Sequence, residues 1–282
     1  MRLTRSRSAR LFASVALLAA VAAAAAGCQT TQSTETTGVL PLAPTDRPES
    51  DWRRDVVVYG QQYRANPNNV EVALRYAQAL RATGQRAQAV AVLERISLQN
   101  PYNKSLLGAY GRALAEAGAY EQAFEVLNRA HSPDQPDWRI LSAQGAVLDQ
   151  MGRHAEAQRY YLTALKIVPD DPSVLSNLGL SYALSKDLPN AEGTLRRAAM
   201  HTPVDPRVRQ NLALVVGLQG RFAEAETIAR ADLPPDEAAA NVAYLRQMLA
   251  QRHDTRPVAR NRGGADPEGS ATQAASAFPL AQ

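Results

Sequence analysis

Apolar side chains in the middle of the chain recur at intervals of three, four and seven, as Leu175, Leu178, Tyr182 and Leu195 or Leu141, Leu148, Tyr161 and Leu165 do. This is the spacing of helix faces rather than the odd-even alternation of strands. A longer period overlies it. Ala89, Ala123, Ala157, Ala191 and Ala225 follow one another at intervals of 34 residues without a gap. Twelve residues before each stands a small residue (Ala77, Gly111, Gly145, Gly179, Ala213), and five before stand Gly84, Gly118, Gly152, Lys186 and Gly220. Prolines close units at Pro67, Pro101, Pro169 and Pro203. Each unit therefore predicts a helical hairpin. Small residues let two helices approach, glycine ends the first, and proline stops the chain after the second.

These columns are similar to the tetratricopeptide repeat, in which small residues, an inter-helix glycine and a closing proline recur every 34 or so residues. The resemblance implies an all-α fold, a right-handed superhelix of helical hairpins. Five units fit over residues 70–239. A partial unit over 51–66, with Trp52, Tyr59 and Tyr63, predicts a helix that caps the front. The segment 236–252, with Val242, Leu245 and Leu249 at helical spacing, predicts one that caps the back. The chain departs from the pattern at Lys186, which replaces the turn glycine, at Pro133 and Pro136, and at Pro234-Pro235, where the fifth unit ends early.

Composition agrees with helices: 45% of the 282 residues are hydrophobic, dominated by alanine and leucine, and 6% are aromatic. The net charge of +4 invites a reading as a nucleic-acid binder, but its distribution removes it. Arg2, Arg5, Arg7 and Arg10 precede Cys28 with no acidic residue among them, and without these four the chain carries 27 basic against 27 acidic residues. No nucleic acid is expected as partner. Basic residues up to Arg10, an uncharged apolar run from Leu11 to Ala26, and Ala25-Ala26-Gly27-Cys28 read as an export signal over 1–27 with a cleavage site. That run is short for a membrane span. The stretch resembles the bacterial lipobox, with Ala25 where leucine is usual. The resemblance implies lipidation of Cys28, the chain's single cysteine, and Gln29 after it implies the outer membrane. Residues 28–50, rich in Thr, Gln and Pro, are expected to be a disordered linker, and 253–282 a disordered tail.

No metal-ligand spacing, nucleophile turn or phosphate loop stands out, and each of the four histidines stands alone in sequence. Neither enzyme activity, cofactor nor metal is expected. Function is sought instead on the face formed by first helices. Counting each unit from Val70, Lys104, Trp138, Pro172 and Pro206, the fourth and fifth units place matched residues there. Asn177 and Asn211 stand at position 6, Leu180 and Leu214 at position 9, Leu184 and Leu218 at position 13, with Arg207 at position 2. Two readings fit. The residues line a peptide groove, the amides bonding a ligand backbone and the leucines receiving apolar side chains. Or the asparagines serve the repeat itself and the leucines lie under the C-terminal helix. The first three units show Glu71, Gln78, Arg81, Arg112, Glu116, Arg139, Asp149 and Gln150, expected to be a solvated surface. The lysine and asparagine clamp with which some such repeats hold a C-terminal carboxylate is absent.

Two stretches, Leu175 to Ala199 (LSNLGLSYALSKDLPNAEGTLRRAA) and Asp205 to Leu249, together with the lipobox, resemble the TadD lipoproteins of tight-adherence (Flp) pilus assembly. The resemblance implies an outer-membrane-anchored periplasmic adaptor with a pilotin-like role. Its protein partner would be a secretin or another pilus-assembly component, and its membrane contact the lipid on Cys28. Periodicity alone equally allows an adaptor for a periplasmic protease or a peptidoglycan synthase, and more distantly an enzyme without a legible motif.

Overall fold

The computed structural model describes residues 47–254. Helix α1 (Glu49–Ala65) stands in front of five hairpins: α2 (Val70–Ala82) with α3 (Arg86–Gln99), α4 (Lys104–Glu116) with α5 (Tyr120–Arg129), α6 (Trp138–Gln150) with α7 (His154–Ile167), α8 (Pro172–Leu184) with α9 (Leu188–Ala198), and α10 (Pro206–Leu218) with α11 (Phe222–Ala229). Helix α12 (Pro235–Asp254) follows. Among the described residues the only strand-like pairing is an isolated bridge between Ser132 and Gln135, in the loop carrying Pro133 and Pro136. The export signal over 1–27, Cys28, nearly all of the 28–50 linker and the tail beyond Asp254 lie outside the described residues. The last two residues of the expected linker, Glu49 and Ser50, already belong to α1.

The five first helices begin 34 residues apart and are each 13 residues long, because the same signals bound each of them. An Asn or Asp precedes every one. The side chains of Asn69, Asn103, Asp137, Asp171 and Asp205 accept from backbone N–H groups of the first turn at 2.8–3.1 Å, satisfying donors that have no partner within the helix. At the other end Gly84, Gly118, Gly152 and Gly220 adopt φ of +74 to +83°, and the next residue's N–H reaches back five residues, as from Gln85 to the Leu80 carbonyl at 2.8 Å. Lys186 takes the same conformation at φ +67°, and Asp187 bonds the Tyr182 carbonyl at 2.8 Å, so the fourth hairpin turns like the others despite its side chain.

The small residues sit where the helices of a hairpin meet. The alanine column from Ala89 to Ala225 is completely buried. A Cβ on Gly111, Gly145 or Gly179 would come within about 2.7 Å of Leu127, Tyr161 or Leu195, respectively, on the second helix. Each first helix also packs against the first helix of the next hairpin, whereas the backbones of successive second helices lie farther apart and meet through long side chains, as where Arg196 on α9 pairs with Glu224 on α11 at 2.6 Å and the Phe124 ring on α5 meets Tyr160 on α7. The stack therefore curves with the first helices α2, α4, α6, α8 and α10 on its inner, concave face. Helix α12 packs on α10 and α11 in the place of a sixth first helix, Leu245 lying against Gly217. Apolar clusters run through the stack, from Leu80, Leu93 and Ile96 at the front to Leu195, Val215 and Val216 at the back.

Candidate protein-binding face

On the concave side of repeats 4 and 5, α8 and α10 lie side by side. Leu184 is 51% exposed and Leu214 43%, while Leu180 and Leu218 are half-buried. The C-terminal helix leaves the first two open, because it packs on the Gly217 side of α10. The asparagines differ from the leucines. Asn177, only 8% exposed, donates to Ser142 Oγ at 3.3 Å, and Asn211 donates to Ser176 Oγ at 3.0 Å. Each amide thus spans from one first helix to the one before it, which fixes the side chain and leaves its carbonyl oxygen without a hydrogen-bond partner among the described residues. Arg207 folds back on the cap residue Asp205 at 3.1 Å. The arrangement offers apolar contact area beside a few fixed polar atoms on a rigid inner face.

In repeats 1 to 3 Glu71, Gln78, Arg139 and Gln150 are exposed, as expected of a solvated surface, whereas Arg81, Arg112, Glu116 and Asp149 depart from it. The Arg81 guanidinium grips both oxygens of Glu116 across α2 and α4, with both side chains mostly buried. Asp149 is buried, receiving Ser181 Oγ at 2.8 Å and Tyr161 Oη at 3.0 Å, with His154 Nδ1 at 2.8 Å. Position 12 faces the second helix and the next repeat rather than solvent, which is why a charged residue there is enclosed. Burial pushes the Asp149 carboxyl up, against the pull of hydrogen bonds from His154, Ser181 and Tyr161. Burial likewise pushes the Tyr161 hydroxyl well up. Serine, histidine and aspartate meet here, but Ser181 is fully buried and donates to the carboxylate, with no histidine placed to take its proton. The cluster ties α6, α7 and α8 together.

Sequence reasoning missed two features that carried a signal. The Asn/Asp caps form a column with the period of the alanines. Three bonds between successive first helices, Arg81 with Glu116, Asn177 with Ser142 and Asn211 with Ser176, span 35 residues, one period plus one, while Ser181 with Asp149 spans 32.

The tetratricopeptide-repeat model matches the chain over residues 56–112 and again over 142–206, that is, from α1 into α4 and from α6 to the start of α10. No curated protein matches the sequence. Among solved structures, PilW, described as a widely conserved type IV pilus biogenesis factor, is similar with a TM-score of 0.61 at 16% identity, over 69% of this chain and 91% of that one. A tetratricopeptide repeat protein from Parabacteroides merdae gives 0.61 at 12% identity, over 71% and 79%. The hetero-tetramer of Cut9 and Hcn1 from the APC/C gives 0.59 at 16% identity over 74% of this chain, which spans only 42% of the length of that one. At these identities the likeness is one of fold. Hairpins in strict register, the alanine and glycine columns, and the matching repeat models together make this a tetratricopeptide-repeat fold.

Proposed function

We propose that the chain is a periplasmic adaptor, anchored to the outer membrane through a lipid on Cys28, that binds a secretin or another component of a tight-adherence pilus and assists its assembly. The observation that carries the binding role is the row of open leucines on α8 and α10. Two large apolar side chains, Leu184 and Leu214, stand about half exposed on the concave face of a solenoid. Exposed apolar area on a rigid concave surface is what a partner segment buries. Leu180 and Leu218 extend the row, and Asn177, Asn211 and Arg207 border it. The pilus assignment draws on the resemblance of the last two repeats to TadD lipoproteins, and a pilus biogenesis factor built on the same fold offers a precedent for the architecture.

The anchor follows from the sequence before and after Cys28. Two or three acyl chains hold a protein stably to a bilayer, where one holds it marginally. Cys28→Ser is expected to leave the repeats folded and to release the protein from washed membranes, and retention there contradicts the anchor. A photo-crosslinking residue at Leu214 in intact cells tests the partner. The reading expects a secretin adduct, and a protease or a peptidoglycan synthase in its place redirects the assignment.

A further inference from the structure

Four arginines among the described residues are half-buried: Arg81, Arg112, Arg207 and Arg209. Three of them are paired, with Glu116, Asp205 and Asp232 respectively. Arg112, at position 9 of the second repeat, has neither a hydrogen bond nor an ion pair among the described residues. A desolvated cation is costly unless a counter-charge meets it. The acids near enough to act on it are Glu116 and Asp137, and the cations are Arg81 and Arg139. Both acids are committed elsewhere. Glu116 gives its two oxygens to Arg81, and Asp137 caps α6 through the Arg139 backbone N–H at 2.8 Å. The Arg139 guanidinium lies 4.4 Å from the centre of the Trp138 ring. The Arg112 guanidinium lies over Gly108, whose missing side chain leaves room for Ile140, where a Cβ would come within 2.7 Å of it. Burial, then the repulsion of Arg81, holds its pKa below the ordinary arginine value.

We propose that Arg112 is the anchor of a second binding site on the concave face of repeats 1 to 3, which takes an aspartate or glutamate side chain from an extended segment of a protein partner. A guanidinium holds a carboxylate through two parallel N–H bonds. Arg139, in the next repeat, adds to the field that attracts it, while the charge of Arg81 is met by Glu116. The site is separate from the leucine row and does not rest on it. It also accounts for a cation kept without a partner: binding sites are where stability is commonly given up for function.

The test uses the full chain solubilised in detergent, with an acetylated and amidated tetraglutamate peptide as probe and the Arg112 Nε–Hε resonance as readout. The peptide should shift that resonance saturably, and tetraglutamine should not. Arg112→Gln should weaken tetraglutamate binding about tenfold, the effect of roughly one charge-assisted bond, while Leu214→Asp should leave it intact. Separately, Arg112→Met keeps the apolar stem and should raise the thermal midpoint by about 2–4 °C. The proposal is overturned if tetraglutamine or inorganic phosphate at equal concentration shifts the resonance as strongly. It is equally overturned if Arg112→Gln binds like wild type, or if Arg112→Met lowers the midpoint and so marks the arginine as structural.

Discussion

At the scale of single residues, glycine has two opposite meanings along this chain. Gly145 lies in α6 with the Tyr161 ring about where its Cβ would be, and Gly193 lies in α9 with nothing within 4 Å of that position. Gly145→Ala forces α6 and α7 apart and should cost about 1–3 kcal/mol, the range for overpacking. Gly193→Ala should instead gain up to about 1 kcal/mol from helix propensity alone. Chemical denaturation of the two variants checks the difference in sign. Lys186 presents the converse case. It holds a left-handed backbone at φ +67° in a turn where the other four repeats have glycine, so Lys186→Gly should stabilise by about 1 kcal/mol. The expected result is a higher denaturant midpoint at unchanged slope, and an unchanged or lower midpoint argues against strain at that turn. The glycine column was legible from the sequence because a turn needs that residue type at one place. The enclosure of Asp149 was not. It depends on Tyr161 and His154 in the second helix and on Ser181 in the next repeat, none of which marks position 12 as buried.

At the scale of elements, the helices follow from signals local to each. A cap residue, an apolar face and a left-handed turn recur with the repeat, and so the five hairpins and their register are legible in the amino-acid sequence alone. The second helices are less regular, from 14 residues in α3 and α7 down to eight in α11, because Pro133 and Pro136 in one case and Pro234-Pro235 in another stop the chain early. What joins the elements is partly electrostatic. Glu192 on α9 sits among Arg196 on its own helix and Arg221 and Gln219 from the turn between α10 and α11. Burial works to raise its pKa, but the hydrogen bonds from Arg196, Arg221 and Gln219 prevail and lower it to about 2. A carboxylate with a depressed folded pKa stabilises above its unfolded value, near 4.3, and the contribution disappears as pH falls toward 2. Thermal midpoints measured from pH 5 to pH 2 should fall, and less steeply in Glu192→Gln. Parallel curves for the two proteins would remove this network from the account.

At the scale of the whole molecule, repetition explains both what the chain builds and how it could work. Each hairpin buries its apolar surface only against its neighbours, so stability accumulates along the stack and α1 and α12 cover its two ends. The inner face is then free to vary from repeat to repeat. It carries leucines in repeats 4 and 5 and an arginine without a partner in repeat 2. Those leucines were legible as positions of a groove, but whether α12 covered them depended on where that helix docked, which no local pattern states. The proposed assembly role rests on this open row, and the most direct measurement of it is the amount of assembled secretin in outer membranes from cells carrying Leu184→Asp together with Leu214→Asp. Leu162→Asp, an exposed leucine on the second helix α7, serves as control. The account predicts that the double variant stays folded and membrane-bound while secretin multimers give way to unassembled subunits, with the control unchanged. Secretin multimers at wild-type levels in the double variant would contradict it.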